Sequence, residues 1–257
     1  MKWDSPWGPS YPGWHIECSV MSQKYLGEVF DIHTGGIDLI PTHHENEIAQ
    51  SKGMCGKIPA NYWMHGEFLL INGGKMSKSL GNVYLLQDIV DRGYDPLVYK
   101  LFCYSIQYRK KLNFTWEGMD SAKIALDRLR EAYQKHLTGT EDVAEELISK
   151  YEKDFNEAIN DDLNMPVAMS VVWEVAKRTE KSKKVAELLK KFDRVLGIKI
   201  DEHKEEEIPD DIKELLTKRA EARKNKDWAE SDKIRDIIKE KGYIVKDSKE
   251  GQTVEKC

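Results

Sequence analysis

Cys18, His43 and Glu47 have the side chains of a site for a borderline-soft divalent metal. His43 and Glu47 stand four apart in His43-His44-Glu45-Asn46-Glu47, and residues four apart on a helix project from one face. An imidazole nitrogen and a carboxylate so placed can hold one Zn²⁺ from the same side. Cys18, in Gly13-Trp14-His15-Ile16-Glu17-Cys18, can add a thiolate from a neighbouring segment. The three make one ligand fewer than a tetrahedral set. A plainer reading stays open on spacing alone: His/Glu pairs are common on solvated helices, and a single Cys is usually a packed thiol. His44 and Glu45 are expected to face solvent or to stand behind the ligands. His33, before Thr34-Gly35-Gly36, is either a strand-end site residue or a satisfied core histidine. No His-Glu-x-x-His occurs, so a zincin-type protease is not supported.

A second group is Lys75-Met76-Ser77-Lys78-Ser79, set between Gly73-Gly74 and Leu80-Gly81-Asn82. Two ammonium groups and two hydroxyls in five residues can wrap a triphosphate, the lysines offsetting charge and the hydroxyls and backbone N–H groups adding hydrogen bonds. Neither a Walker-type P-loop nor a Gly-x-Gly-x-x-Gly run competes for that role. The alternative is a solvated polar loop.

The elements that must position these groups change character near residue 115. Before it, Phe30–His33 reads as a strand entering a turn at Thr34-Gly35-Gly36. Glu67–Asn72 reads as a second strand, and residues 43–53 as a helix, together an α/β layer. After it, Met119, Ala122, Leu126, Leu129, Tyr133 and His136 or Leu137 form one apolar stripe. Val143, Leu147, Tyr151, Phe155 and Ile159 form another. Pro166 suits the first turn of a third helix over 166–178, and Ser182 can cap a fourth that stops at Gly197. Four amphipathic helices with short connections read as a bundle. Residues 201–211 read as an acidic linker, followed by helices over 211–225 and 227–241, a short strand at Tyr243-Ile244-Val245 and a frayed polar tail from Ser248.

The chain has 257 residues, 33% of them charged, and a net charge of −5. Its mean hydropathy is −0.62. No apolar run has the length of a membrane span and no signal-peptide pattern opens the chain, so a cytoplasmic protein without membrane contact is expected. Cys18, Cys55, Cys103 and Cys257 are far apart and form no Cys-x-x-Cys pair, so no disulfide framework is expected. The acidic balance argues mildly against a nucleic-acid binder but leaves room for local basic patches.

Four stretches in order resemble cysteinyl-tRNA synthetase, a class I aminoacyl-tRNA synthetase: 3–18, 30–38, 43–51 and Lys75–Asn82. The resemblance continues through Asp161–Asn164 and Lys226–Ala229. It implies an α/β part followed by an all-α part: the second half of a Rossmann-type catalytic domain with the zinc ligands over 1–70, a KMSKS and stem-contact region over 71–115, a tRNA-binding helical bundle over 116–200, and a small anticodon-recognition unit over 201–257. It places Cys18, His43 and Glu47 on three of the family's four zinc ligands and Trp14 on an indole lining the amino-acid pocket. Lys75 and Lys78 become the lysines of the catalytic loop, with Lys78 on ATP. One Zn²⁺ per chain, ATP with Mg²⁺, cysteine and tRNA-Cys are the implied cofactor and substrates, and a monomer is expected. The family uses zinc to take the substrate thiolate, which separates cysteine from serine where pocket shape discriminates poorly.

The sequence also departs from the family. The HIGH-type motif and the fourth zinc ligand, a cysteine, are not found, which implies an N-terminal half on a separate polypeptide, a fragment or a degenerate copy. The half-sheet of residues 1–75 is then expected to be poorly stable alone. Met165 stands where the family has threonine before the third bundle helix, an expected loss of about 1 kcal/mol of capping. Gly251-Gln252-Thr253-Val254 lacks a family Trp. Arg219 and Arg223 share a helix face that could touch phosphates; the alternative is a solvated helix paired with Glu221 and Asp227. Trp228 is expected to be a packing anchor. A non-catalytic tRNA-binding fragment is the alternative function. The cysteine ligase of mycothiol synthesis is a further one, disfavoured because it lacks the extension over 201–257.

Overall fold

The computed structural model describes residues 2–202, 209–248 and 251–256, in two compact units divided after residue 203. The first unit opens with α1 (Trp14–Leu26), closed at Gly27, where φ is 92°. β1 (Phe30–Gly36) follows, then α2 (Glu45–Cys55), stopped by Gly56 in the left-handed region, and then β2 (Ala60–Gly66). β1 and β2 pair in parallel, from Phe30 against Ala60 to Gly36 against Gly66. A parallel pair needs a crossover, and α2 lies on it. Between β1 and α2 the chain makes a 3-10 turn over Ile37–Leu39 and a wide π turn over Ile40–His44. The turn expected at Thr34-Gly35-Gly36 is instead the end of β1. Gly35 serves close approach rather than chain reversal, because a Cβ there would lie 2.7 Å from Cε1 of His44.

A second sheet has the order β4-β3-β5, built from β3 (Leu69–Ile71), β4 (Gly74–Lys75) and β5 (Leu112–Phe114). The strand expected over 67–72 is shorter because Asn72 and Gly73 both take positive φ, 49° and 78°, and reverse the chain into β4. α3 (Leu86–Asp91) and α4 (Pro96–Cys103) separate β4 from β5.

α5 (Trp116–Leu137) is capped by Thr115, whose hydroxyl accepts from the Gly118 N–H. Its buried stripe is the expected one, with His136 rather than Leu137 as the last member. α6 (Glu145–Asn160), α7 (Met165–Ala176) and α8 (Lys183–Leu196) complete the bundle, and Phe155 stacks on Phe192 at 4.1 Å. Two capping expectations fail. Asn164, not Met165, occupies the cap position of α7. Ser182 precedes α8, but its hydroxyl caps nothing; its N–H donates to Nδ1 of His136. A single apolar core runs from Ile71 in β3 through all four helices to Ile200.

The turn joining α6 to α7 carries positive φ at two non-glycine residues, Asp162 (52°) and Leu163 (53°). Asp162 accepts from the side chains of Gln107, Tyr108 and Arg109, and the Arg109 guanidinium, with Tyr108, holds its carboxyl down at about 2.

The second unit consists of α9 (Asp210–Lys224), α10 (Trp228–Glu240), β6 (Tyr243–Ser248) and β7 (Gly251–Lys256). α9 begins inside the expected linker, of which 203–208 lie outside the described residues, as does Cys257. The tail does not fray as expected: β7 pairs antiparallel with β6. Arg219 explains the attachment. Its side chain is fully buried and forks onto Asp247 at 2.9 and 3.0 Å, with Gln252 accepting a further bond at 2.7 Å. It is therefore neither a phosphate contact nor a solvated residue paired with Glu221. Trp228 is 58% exposed, so it does not anchor the packing either. Among the described residues no helix is long and apolar enough to cross a membrane.

His136 makes the first unit acid-sensitive. It is fully buried, its Nε2–H donates to the Ala176 carbonyl at 3.1 Å, and Nδ1 already accepts from Ser182. Burial pushes its pKa below the ordinary histidine value of 6.5. The unfolded chain then binds a proton that the native state refuses, so this contribution is intact above about pH 6.5 and declines as pH falls. Thermal melts from neutral to acid pH should show a falling Tm. His136→Leu should be less stable at neutral pH by about 1–3 kcal/mol, with a shallower acid slope.

Candidate metal centre and lysine loop

Glu47 sits one turn into α2 with 2% of its surface exposed. A carboxylate buried so deeply needs charged or hydrogen-bonding partners. Oε2 accepts from Nε2 of His33 at 3.0 Å, and Oε1 lies 3.8 Å from Nε2 of His43. The sulfur of Cys18, one turn into α1, completes a trio whose donor atoms all lie within 4.8 Å of one another. α1 is tied to α2 by Ser19, whose hydroxyl donates to Oε1 of Gln50 at 2.6 Å, which joins the helices carrying the thiol and the carboxylate. The Cys18 thiol is pushed up by burial and by the Glu47 and Glu17 carboxylates. A dication among these groups would reverse that balance and favour the thiolate.

His44 is buried beside the trio, which corrects the expectation that it could face solvent; Glu45 is exposed. The π turn sets both His43 and His44 inward. Nδ1 of His44 shares a hydrogen bond of 2.8 Å with Nε2 of His65 in β2. Burial, and then the neighbouring His33, His65 and His43, push His44 down to about 4, so it is neutral at physiological pH. His65 is lowered too, first by burial and then by His33. Trp63 packs on His33 and His44 with ring centroids at 4.7 and 5.1 Å. His33, His44 and Glu47 form a second group with close donor atoms, sharing Glu47 with the first. His33 is thus bonded to Glu47 beside the trio rather than packed into the apolar core. The sequence offered a signal for this group in Gly35, a residue without a side chain just where a later histidine packs.

Trp14 opens α1 and is 62% exposed, its indole 4.5 Å from the His43 ring. It forms a wall beside the donor trio, open to solvent. Lys75, at the end of β4, and Lys78, in the 3-10 turn that follows, lie elsewhere, and both side chains are exposed.

The trio fits zinc: one sulfur, one nitrogen and one oxygen donor, brought together and largely shielded from water. His33 sets which Glu47 oxygen is free to ligate, and such supporting bonds are commonly worth about 10–100-fold in metal affinity. Competition against a chromophoric chelator should show zinc binding lost in His43→Ala and Glu47→Gln, and weakened by about 10–100-fold in His33→Ala.

Residues 1–124 match the family model of the class I (C) tRNA synthetase catalytic domain. Residues 154–201 match the DALR domain, and residues 205–254 the cysteinyl-tRNA ligase anticodon binding domain. Cysteine–tRNA ligase 1 of Burkholderia lata is 45% identical over 255 residues, which is 98% of this chain and 53% of that protein. The cysteine–tRNA ligase of Bacillus cereus is 44% identical over 270 residues, 97% of this chain and 57% of the relative. That of Protochlamydia amoebophila is 39% identical over 269 residues, 99% and 56%. The chain therefore spans about half the length of the curated relatives it matches. Among solved structures, the ternary complex of Agrobacterium radiobacter K84 agnB2 LeuRS with tRNA and LeuAMS superposes with a TM-score of 0.58 at 14% identity. It covers 77% of this chain and 32% of that one, a likeness of fold.

Proposed function

Because this chain belongs to the cysteine–tRNA ligase family of class I synthetases, we propose that it serves the ATP-dependent activation of cysteine and its transfer to tRNA-Cys. The observation that carries this reading is the Cys18, His43 and Glu47 trio gathered beside the exposed Trp14 indole. Zinc held there supplies a soft Lewis-acid position that takes a thiolate far better than a serine hydroxyl. The residues around it do the rest. Trp14 walls the amino-acid pocket. His33 holds Glu47 so that one carboxylate oxygen stays committed to the imidazole and the other to the ligand side.

In activation the cysteine carboxylate attacks the α-phosphate of Mg²⁺-bound ATP in line, and pyrophosphate leaves. Lys75 and Lys78 offset the charge of the triphosphate, with Lys78 on ATP, and Ser77 and Ser79 add hydroxyl donors. For tRNA, the second unit offers an exposed indole at Trp228 and a half-exposed guanidinium at Arg223, an aromatic stacking surface and a cation. The match of residues 205–254 to an anticodon-binding model supports tRNA rather than an amino-sugar as the acceptor.

Cysteine-dependent ATP–pyrophosphate exchange tests the reading. Exchange should be abolished in Cys18→Ser and reduced by about a hundredfold in Lys78→Ala, both variants keeping wild-type affinity for tRNA-Cys. A wild-type chain that bound tRNA-Cys without cysteine-dependent exchange would be a tRNA-binding module instead.

A further inference from the structure

The lysine loop has a shape, and one side chain accounts for it. Gly73 and Gly81, at φ 78° and 63°, bracket a segment that glycines would leave free to swing. Met76 turns inward against the core and, with Leu69, Ile71, Tyr84, Ile89 and Phe114, lines an apolar cavity of about 100 Å³. Ser77 then runs extended, and a single 3-10 turn over Lys78–Leu80 closes on Gly81. Lys75 and Lys78 are left outward on either side of Met76.

Asn82 ties the two sides together. Its Oδ1 accepts from the Ser77 N–H at 2.8 Å, and its Nδ2 donates to the Lys75 carbonyl at 3.0 Å. The orientation of the amide is not a matter of choice: a peptide N–H can only donate and a peptide carbonyl can only accept, so each partner selects its atom. The two bonds pin the peptide groups flanking Met76. That fixes the backbone carrying Lys75 and the start of the turn carrying Lys78.

We propose that Asn82 is a positioning residue for the lysine loop, holding Lys75 and Lys78 ready for a triphosphate before it arrives. The proposal rests on reading this loop as the ATP-binding one. A preset loop loses less conformational freedom when it closes on phosphate, and that saving appears as affinity. An aspartate cannot replace Asn82. It keeps the shape and the acceptor for Ser77, but sets an oxygen against the Lys75 carbonyl.

The test uses the full chain with Asn82→Leu, Asn82→Asp and Lys78→Ala. The first readout needs no ligand: hydrogen exchange at the Ser77 amide should accelerate by about tenfold or more in Asn82→Leu, with the Tm of the chain unchanged, and stay at the wild-type rate in Lys78→Ala. The second is the Kd for ATP by calorimetry, which should weaken by about tenfold in both Asn82 variants. Unchanged Ser77 exchange in Asn82→Leu would overturn the proposal. So would faster exchange with unaltered ATP affinity while Lys78→Ala still weakened it. If Lys78→Ala left ATP affinity intact, the ATP reading of the loop would fail, a result separable from the exchange data.

Discussion

A carboxylate taken out of water among imidazoles is the constraint on which the N-terminal part of this molecule depends. Glu47 is almost wholly buried, and its neighbours come from three different elements. His33 must arrive from β1, His43 from the π turn and Cys18 from α1. Each demand propagates. The π turn brings in His44 as well, His44 needs the bare backbone of Gly35, and its second neighbour is His65 of β2. The Ser19–Gln50 bond then fixes the distance between the helices that carry the thiol and the acid. The local geometry of four segments is thus solved jointly around one side chain.

What was legible in the sequence follows from how local each signal is. The stripes of α5 and α6 depend on 3.6-residue periodicity, and most of their members are buried as that pattern requires. The four-residue spacing put His43 and Glu47 on one face, the resemblance added Cys18, and the three donor atoms do lie close together. What failed was non-local. His44 lies next to His43 in a run that, wound as an ordinary helix, would turn it away; the wider π turn keeps it inside. Arg219 looks like any charged residue of a solvated helix, and its partner Asp247 lies 28 residues on, in a strand whose mate reads as a loose tail. β2 has no alternation to announce it, and its identity comes from pairing with β1.

Each unit gathers its charged side chains around one carboxylate, in different ways. In the first, a buried carboxylate and a thiol face each other beside a neutral His44, an arrangement that gains from a cation. In the second, Asp247 is shared by Arg219, Arg223 and Arg235, three guanidiniums on one carboxylate, and its pKa is held far below the usual carboxylate range, chiefly by Arg219. Arg219 is the buried member of that group. Arg223 and Arg235 keep roughly half-exposed faces, and Arg235 also pairs with Asp232 at 3.5 Å.

The turn between α6 and α7 bears on how separable the bundle is. Leucine in the left-handed region, as at Leu163, costs about 1–3 kcal/mol, and it persists here because the 107–109 loop grips the adjoining Asp162 from outside the four helices. Tyr104 and Lys100 of the preceding segment likewise bind the carbonyls of Leu196 and Gly197 at the far end of α8. Four amphipathic helices in a row suggest a cassette that recombination could lift out whole. The bonds drawn from residues 100–109 make that transfer unfavourable: an excised bundle would lose the clamps on two of its own corners, and a graft would have to carry the preceding strand and helix with it.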